Sequence, residues 1–361
     1  MTTESRALPG LAHSADLSVP TMGREYERVP LAKDTISVSA VQTRVRAVDA
    51  TDPVKRQRGL TDNLEHFLEA IDKASGYGGR KDLLCFHEFP ISGWAMWTRE
   101  EALSVCIELP GPEFEAVAEK AKAYGCWISF GAYVRDPDWP GHVLSITTLV
   151  DPEGNIAAKH WKARNIRGVF PGFELFTTTI ENVLDPYVEM YGADAVIPVA
   201  RTPIGNIAMS SVQRQPELFR ALAMKGAEIF VRTASGGFTA GDISMTSVYN
   251  GVYSVITNNA VSPGNPGFFE DSSGGSGGTA IYGPRGQALA IASSAFEQSV
   301  DASIPIGAFR STHTIPDLDV ALYAPVWQAY NPRYDHSAFA TGLPDTLAAA
   351  KVQLDTFDRW K

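Results

Sequence analysis

Three side chains with chemical potential stand at the ends of predicted elements. Glu88 follows the apolar run Leu83-Leu-Cys-Phe86, Lys162 lies just past a predicted hairpin, and Ser210 occupies a turn between a strand and a helix. A carboxylate can accept and return a proton, and an ammonium group can stabilise developing negative charge. A hydroxyl can act as a nucleophile when a base lies beside it. Their use in one reaction would require a fold that brings the three positions together.

The first half of the chain alternates between predicted strands and helices. The segment Ile36 to Gln42 alternates apolar and polar residues like a half-buried strand, and apolar residues within 64–71 follow at helical spacing. The run before Glu88 is continuously apolar, which suits a strand that is buried on both faces. Pro112 to Tyr124 predicts a helix ending at a glycine, and Cys126 to Val134 predicts the next strand.

The second half of the chain continues the same alternation. Residues 145–161 predict a hairpin, because Asp151-Pro-Glu-Gly154 supplies the backbone angles of a tight turn. Ile204 to Ser210 reads as a strand, Pro216 to Lys225 as a helix and Ala227 to Arg232 as the next strand. The remaining predicted elements are a strand at 252–257, a long Gly/Ser/Pro-rich loop at 262–278, strands at 279–282 and 288–292, and a helical tail.

The order of these motifs resembles the nitrilase superfamily of carbon–nitrogen hydrolases over about residues 35–300. In that family a catalytic glutamate ends a strand and precedes a polar and aromatic turn, and Phe86-His-Glu-Phe-Pro-Ile-Ser-Gly-Trp94 places Glu88 in that position. A catalytic lysine follows a D-x-x-G turn and an apolar strand, where this chain has Lys162. The resemblance implies an α/β fold, specifically a four-layer α-β-β-α sandwich.

The third family motif is a strand that leads to a cysteine at a sharp turn, followed by Pro-Glu and a helix. Gly205 through Arg232 reproduces this frame and is most similar to the aliphatic amidase and formamidase branch. Counting back from Pro216-Glu217 puts Ser210 at the cysteine position, and Ser211-Val212 stand where the family commonly has Tyr or Asp and Asp. Ser276 to Gly286 resembles the family's glycine-rich active-site loop and the hairpin after it.

The resemblance implies that Glu88 is the general base and Lys162 the oxyanion stabiliser. A thiol has a pKa of about 8.5 and a hydroxyl one close to that of water, about 15.7, so serine is harder to activate by on the order of 10 kcal/mol. Three alternatives therefore stay open. Ser210 could be the nucleophile, or Glu88 and Lys162 could work on a bound substrate that Arg214 helps to hold, or Ser210 could be an inert turn residue.

Other residues near these motifs carry weaker predictions. Ser211, Arg214 and Trp161 are predicted to bind the substrate, although tryptophan is also common in ordinary cores. The family's second glutamate has no equivalent before the hairpin, where Asp136 and Asp138 are residue types typical of turns. Cys85, inside an apolar run, is interpreted as an inert buried thiol.

Composition narrows the classes of partner. The net charge of −10 comes without a lysine- or arginine-rich run, which argues against nucleic acid and membrane surfaces. The absence of an apolar stretch of about 18 residues and of a leader pattern predicts a cytoplasmic protein. Three cysteines and scattered histidines predict neither disulfides nor a metal site, and the resemblance implies no cofactor.

Two functions remain in view for a chain with three predicted parts. Residues 1–33 are expected to be an N-terminal extension, 34–310 a nitrilase-like domain, and 311–361 a helical tail that packs on the domain or a neighbouring subunit. The first hypothesis is an enzyme that acts on a carbon–nitrogen bond of a small molecule, by hydrolysis or a related transfer or biosynthetic reaction. The second is a degenerate homologue that binds a ligand or builds an assembly. The resemblance implies a homo-oligomer, a dimer or higher.

Overall fold

The strands of the computed structural model form two mixed, six-stranded sheets. The structure describes residues 17, 25–76, 78–167, 172, 176–262, 275–335, 340 and 342–360. In chain order the strands are β1 (Ile36–Gln42), β2 (Leu83–Cys85), β3 (Trp127–Val134), β4 (Leu144–Val150), β5 (Ile156–Trp161), β6 (Ala200–Thr202), β7 (Gly205–Ser210), β8 (Ile229–Thr233), β9 (Tyr253–Thr257), β10 (Ala280–Tyr282), β11 (Ala288–Ile291) and β12 (Gln298–Ile304).

The strand orders show that the two sheets have related topologies. The first sheet runs β12-β1-β2-β3-β4-β5 and the second runs β11-β10-β9-β8-β7-β6. In the first sheet β1, β2 and β3 are parallel neighbours, and in the second β7, β8 and β9 are. The parallel strands at the centre of each sheet end at one edge, where loops can carry functional residues.

The described chain also forms helices, some of which cover the outer faces of the two sheets. In chain order they are α1 (Pro53–Gly76), α2 (Arg99–Ser104), α3 (Pro112–Tyr124), α4 (Leu184–Tyr191), α5 (Pro216–Met224), α6 (Ala240–Asn250), α7 (Ile306–Thr312), α8 (Val320–Ala329) and α9 (Leu347–Phe357). Apolar residues of α1 and α3 pack on the first sheet, and those of α5 and α6 pack on the second. The layers are therefore helix, sheet, sheet, helix, which confirms the predicted four-layer α-β-β-α sandwich.

The alternation of side chains along each strand separates the core into layers. Leu83 and Cys85 of β2 point between the two sheets, whereas Leu84 points to the helices of the first sheet. On the opposite sheet, Ile207 and Met209 of β7 face the inter-sheet layer and Ala208 faces α5. A strand that is buried on both faces needs apolar residues at every position, which explains the continuous runs in the sequence.

Several elements escaped prediction from the sequence. Helices α2, α4 and α6 and strand β12, which pairs antiparallel with β1, have no counterpart among the predicted elements. Twelve residues of the long glycine-rich loop, 263–274, lie outside the described residues. No helix in the described ranges is long and apolar enough to cross a membrane.

The N-terminal end of the described chain packs beside the second sheet, and the segment that begins α9 contacts Arg99 and the apolar cluster around Trp94 and Tyr133. Tyr26 is buried and donates a hydrogen bond from its hydroxyl to the Glu228 carboxylate at 2.7 Å. Ala350 and Leu354 of α9 are buried, and Leu322 and Val326 of α8 are exposed. Most of residues 1–33 lies outside the described residues, so the predicted boundaries of the extension and the tail stay predictions.

Burial of histidine makes stability depend on pH. His160 of β5 is 1% exposed, and burial lowers its pKa from 6.5 to about 4. Between these two values the unfolded chain binds more protons than the folded chain, so the stabilisation is complete above about pH 6.5 and is lost as the pH falls toward 4. The loss amounts to on the order of 3 kcal/mol for this residue.

A non-titrating side chain at position 160 should remove this dependence. We expect the His160→Leu variant to lose less stability than the wild type between pH 7 and pH 4, measured as the urea midpoint of unfolding at each pH. Parallel pH profiles for the two proteins would contradict the assignment to His160.

Candidate active site

Glu88 lies just beyond the end of β2, in a segment that the neighbouring strand fixes. The Phe86 amide donates to the Ser129 carbonyl at 2.8 Å, and the Gly131 amide donates to the His87 carbonyl at 3.1 Å. A Cβ atom at position 131 would overlap the Glu88 carbonyl oxygen, so only glycine allows this close approach. The backbone of β3 therefore sets the position from which the Glu88 side chain extends.

Glu88 and Lys162 form an ion pair that is almost completely removed from solvent. Lys162 Nζ donates to Glu88 Oε1 at 2.8 Å, and the two side chains are 11% and 6% exposed. The Lys162 backbone is anchored at both ends, because its amide donates to the Ser145 carbonyl and its carbonyl accepts from the Ile180 amide. A charge pair held in a site of low dielectric acts strongly on any charge that develops nearby.

The second oxygen of Glu88 contacts a residue of the opposite sheet. Ser235, two residues beyond the end of β8, donates from Oγ to Glu88 Oε2 at 2.7 Å, and the Glu88 amide donates to the Ala234 carbonyl at 3.3 Å. Ser145 Oγ lies farther away, at 3.5 Å from Glu88 Oε1. The carboxylate therefore bridges the two sheets at their carboxyl-terminal edges. Ser235 could not be identified from the sequence, because no motif marks it.

Ser210 ends β7 and lies opposite Arg232 in the register of the parallel pair formed by β7 and β8. The Ser210 side chain is buried at 1% exposure, and its Oγ accepts a hydrogen bond from the Val212 amide at 3.1 Å. Among the described residues, no hydrogen bond joins Ser210 to Glu88 or Lys162. The structure thus brings two of the three predicted catalytic residues into direct contact and leaves Ser210 with a local backbone partner.

A buried arginine holds the turn that follows Ser210. Arg232 is 1% exposed, donates from Nη2 to the Val212 carbonyl at 2.9 Å and to Asp242 Oδ2 at 2.7 Å, and stacks over the Phe219 ring. Burial lowers the pKa of Arg232, and Asp242 opposes this effect. Asp242 Oδ2 also accepts from the Arg214 amide at 3.1 Å. The turn is therefore rigid for reasons that the sequence motif did not reveal.

The three predicted substrate-binding residues lie in different environments. Ser211 is buried, whereas the Arg214 side chain is exposed on a backbone with a φ of 54°, which is unusual for a residue other than glycine. Trp161 packs in an aromatic cluster with Trp139 and Tyr187 on the outer face of the first sheet. The Trp161 ring is part of the core, and its predicted role in substrate binding stays a prediction.

Asp136, Asp138 and Cys85 lie in structural surroundings. Asp136 Oδ1 accepts from the Asp138 amide at 3.0 Å, which is the geometry of a turn-forming aspartate. Cys85 is fully buried, and burial raises the pKa of its thiol well above the usual range. In the described ranges, no three His, Cys, Asp or Glu side chains cluster as a metal site would require.

Comparison with known proteins identifies relatives of one kind. The family model described as carbon–nitrogen hydrolase matches residues 38–314. A bifunctional nitrilase/nitrile hydratase of Nicotiana tabacum is 27% identical over 218 residues, which cover 56% of this chain and 57% of that protein. A formamidase of Helicobacter acinonychis is 26% identical over 185 residues, covering 50% and 49% of the two chains. The chain thus spans about half the length of these curated relatives.

Solved structures show the same fold at low sequence identity. The amidase from Nesterenkonia sp. AN1 in complex with acrylamide aligns with a TM-score of 0.58 and 16% identity, over 83% of this chain and 100% of that chain. A second structure of that amidase carries the acetamide moiety of fluoroacetamide on its active-site cysteine. It aligns with the same TM-score of 0.58 and 16% identity, over 83% of this chain and 99% of that chain.

Proposed function

Because the chain belongs to the carbon–nitrogen hydrolase family, we propose that it acts on a carbon–nitrogen bond of a small molecule, by amide hydrolysis or a related transfer. The observation that carries the proposal is the buried contact of 2.8 Å between Lys162 Nζ and Glu88 Oε1. Relatives that are named as nitrilases, formamidases and amidases support this reaction class.

The geometry supports a division of roles between the two charged residues. Glu88 takes the proton of the attacking group and later returns it to the departing nitrogen. Lys162 stabilises the negative charge on the substrate oxygen as the tetrahedral intermediate forms. The roles are compatible because Lys162 contacts only Oε1 of the carboxylate, which leaves Oε2 available to a proton donor.

The attacking group is not a cysteine thiol in this proposal. Cys85, Cys106 and Cys126 are all buried, and burial raises the pKa of each thiol. A thiol with a raised pKa is a poor source of thiolate. Nesterenkonia amidase is described as having an active-site cysteine, so the chemistry proposed for this chain departs from that relative.

A second candidate function is a ligand-binding or assembly module without catalysis. It is favoured by Ser210, whose hydroxyl has a backbone partner and no hydrogen bond to Glu88 or Lys162 in the described part of the chain. The family fold, without a nucleophile at this position, would then serve binding alone. A homo-oligomer also remains a prediction. Exposed apolar side chains on α8, such as Leu322 and Val326, support it, because such side chains often mark an interface. Light scattering would test it.

Ammonia release separates the two functions. We expect the wild type to release ammonia from at least one member of a panel of small aliphatic amides, formamide, amino-acid amides and nitriles. Glu88→Gln, prepared in parallel, serves as the control for contaminating hydrolases. If the wild type and the variant released equally little ammonia from every compound, the binding-module function would replace the proposed one.

A further inference from the structure

We propose that Ser235 is the nucleophile of this site and forms an acyl ester with the substrate. The inference rests on the proposed function and extends it, because it names the group that attacks the carbon. Ser235 Oγ donates to Glu88 Oε2 at 2.7 Å, within the range over which a base takes the proton of its nucleophile. The position lies outside all the motifs of the sequence.

The contacts of Glu88 arrange three groups in the order that nucleophilic catalysis requires. The nucleophile Ser235 contacts one carboxylate oxygen, and Lys162, at 2.8 Å, contacts the other. Lys162 therefore orients the base and supplies positive charge beside it. A nucleophile bonded to a base, with the base held by a third group, is the general arrangement of catalytic triads.

The backbone around Ser235 is held in place by a buried asparagine. Asn258, which follows β9 and is fully buried, accepts from the Gly236 amide at 3.0 Å and donates to the Gly236 carbonyl at 2.6 Å. Asn258 also donates to the Gly277 carbonyl at 2.7 Å, which ties this turn to the glycine-rich segment. Ser235 itself is half-buried, so its hydroxyl is fixed without being sealed off from solvent.

The alternative serine lacks these contacts. Ser210 Oγ accepts from a backbone amide and is 1% exposed, and in the described residues it has no carboxylate partner. A hydroxyl needs a base to take its proton, because its own acidity is close to that of water, with a pKa of about 15.7. Of the two serines, Ser235 is the one with a base at hydrogen-bonding distance.

The reaction can be written with its atoms and electrons in balance. The Ser235 proton passes to Glu88 as Oγ bonds to the substrate carbonyl carbon, and the carbonyl π electrons move to the oxygen beside Lys162. When this intermediate collapses, the carbon–nitrogen bond breaks, and the Glu88 proton goes to the departing amine or ammonia. A water molecule then gives a proton to Glu88 and attacks the ester carbon. The ester bond breaks, and the proton returns to Ser235 as the carboxylic acid leaves.

An irreversible reagent can identify the nucleophile without turnover. A short-chain alkyl fluorophosphonate bonds through phosphorus to an activated serine oxygen as fluoride leaves and the hydroxyl proton passes to the base. Trypsin separates the two candidates, because cleavage at the flanking arginines places Ser210 in peptide 202–214 and Ser235 in peptide 233–285. We expect the label on Ser235, located by fragmentation of the labelled peptide, and no label in Glu88→Gln.

Kinetics of matched variants provide the second test. We expect Ser235→Ala to lower kcat/KM for ammonia release by at least about 10⁴-fold, as loss of a nucleophile does in other hydrolases. Ser210→Ala should cost less than about tenfold, since that hydroxyl only accepts a local backbone hydrogen bond. Ser235→Cys restores a nucleophile at the same place and should react with the reagent iodoacetamide at position 235.

The outcomes distinguish a failure of this inference from a failure of the proposed function. Ammonia release by the wild type with the label on Ser210, or with no label, would overturn the role of Ser235 and leave the function intact. Release that survives in Ser235→Ala would do the same. If Ser235 were labelled but the protein hydrolysed no member of the panel, the role of Ser235 as an activated serine would be supported. The proposed amide hydrolysis would then be the part that failed.

Discussion

Replacement of Glu88 by glutamine is expected to lower kcat/KM for ammonia release by about 10⁴-fold or more. The amide cannot take the proton of the attacking group, and it loses the charge that Lys162 contacts at 2.8 Å. Lys162→Met should cost about 10²-fold to 10³-fold, the usual effect of removing one donor to an oxyanion. The double variant should be no slower than Glu88→Gln, since residues that act as a unit are not additive.

Two surface residues on the hairpin that precedes Lys162 provide matched controls. Lys159 lies on β5, three residues before Lys162, and its side chain is exposed, so Lys159→Met should leave activity within about twofold of the wild type. Glu153 in the hairpin turn is exposed, so Glu153→Gln is the matched control for Glu88→Gln and should also leave activity within about twofold. Initial rates and melting temperatures of all variants should be measured together. Additive losses in the double variant would show that Glu88 and Lys162 act independently.

Arg310→Met is expected to destabilise the protein by about 3–5 kcal/mol, because it leaves the Glu228 charge buried without its counter-ion. Glu228 is fully buried, and Arg310 donates to both of its carboxylate oxygens at 2.7 Å. The same carboxylate accepts from the Tyr26 hydroxyl and from the Asn206 amide, each at 2.7 Å. This cluster joins the N-terminal segment, the second sheet and α7 through one side chain.

The free energy of unfolding in urea measures the effect. Glu228→Gln combined with Arg310→Met should recover part of the loss, since no uncompensated charge remains. Arg135→Met is a suitable control, because Arg135 pairs with Glu108 at the surface and both side chains are 52% exposed. Exposed pairs of this kind contribute less than about 1 kcal/mol to stability. A loss from Arg310→Met as small as that of the control would mean that Glu228 is neutral or solvated in the folded protein.

The sequence predicted the fold, and two of the residues that it singled out, Glu88 and Lys162, lie in contact in the structure. Continuous apolar runs and turn residues located the strands beside Glu88 and Lys162 closely, because local patterns determine these elements. The family resemblance named Glu88 and Lys162 as catalytic residues, and these roles stay predictions. Ser210 is assigned by its distance along the chain from Pro216-Glu217. That spacing does not show which serine hydroxyl lies beside the Glu88 carboxylate in the folded protein.

Contacts between the sheets could not be predicted in this way. Ser235 reaches Glu88 only because the segment after β8 of one sheet packs against the segment after β2 of the other, and sheet packing depends on the volumes of many side chains. Glu228 offered a partial signal, because a charged residue opens an otherwise apolar strand segment. A buried charge of this kind requires a partner, although nothing in the sequence identifies Arg310, 82 residues later, as that partner.

In the proposed mechanism, turnover depends on how the two sheets are aligned, because Ser235 and Glu88 come from different sheets. A slip of one sheet over the other by a single residue is a displacement of about 3.3 Å, larger than the bond that joins these side chains. Every strand could keep its own hydrogen bonds through such a slip, and circular dichroism would barely change. Turnover would nevertheless stop, so on heating the loss of activity should precede the loss of secondary structure.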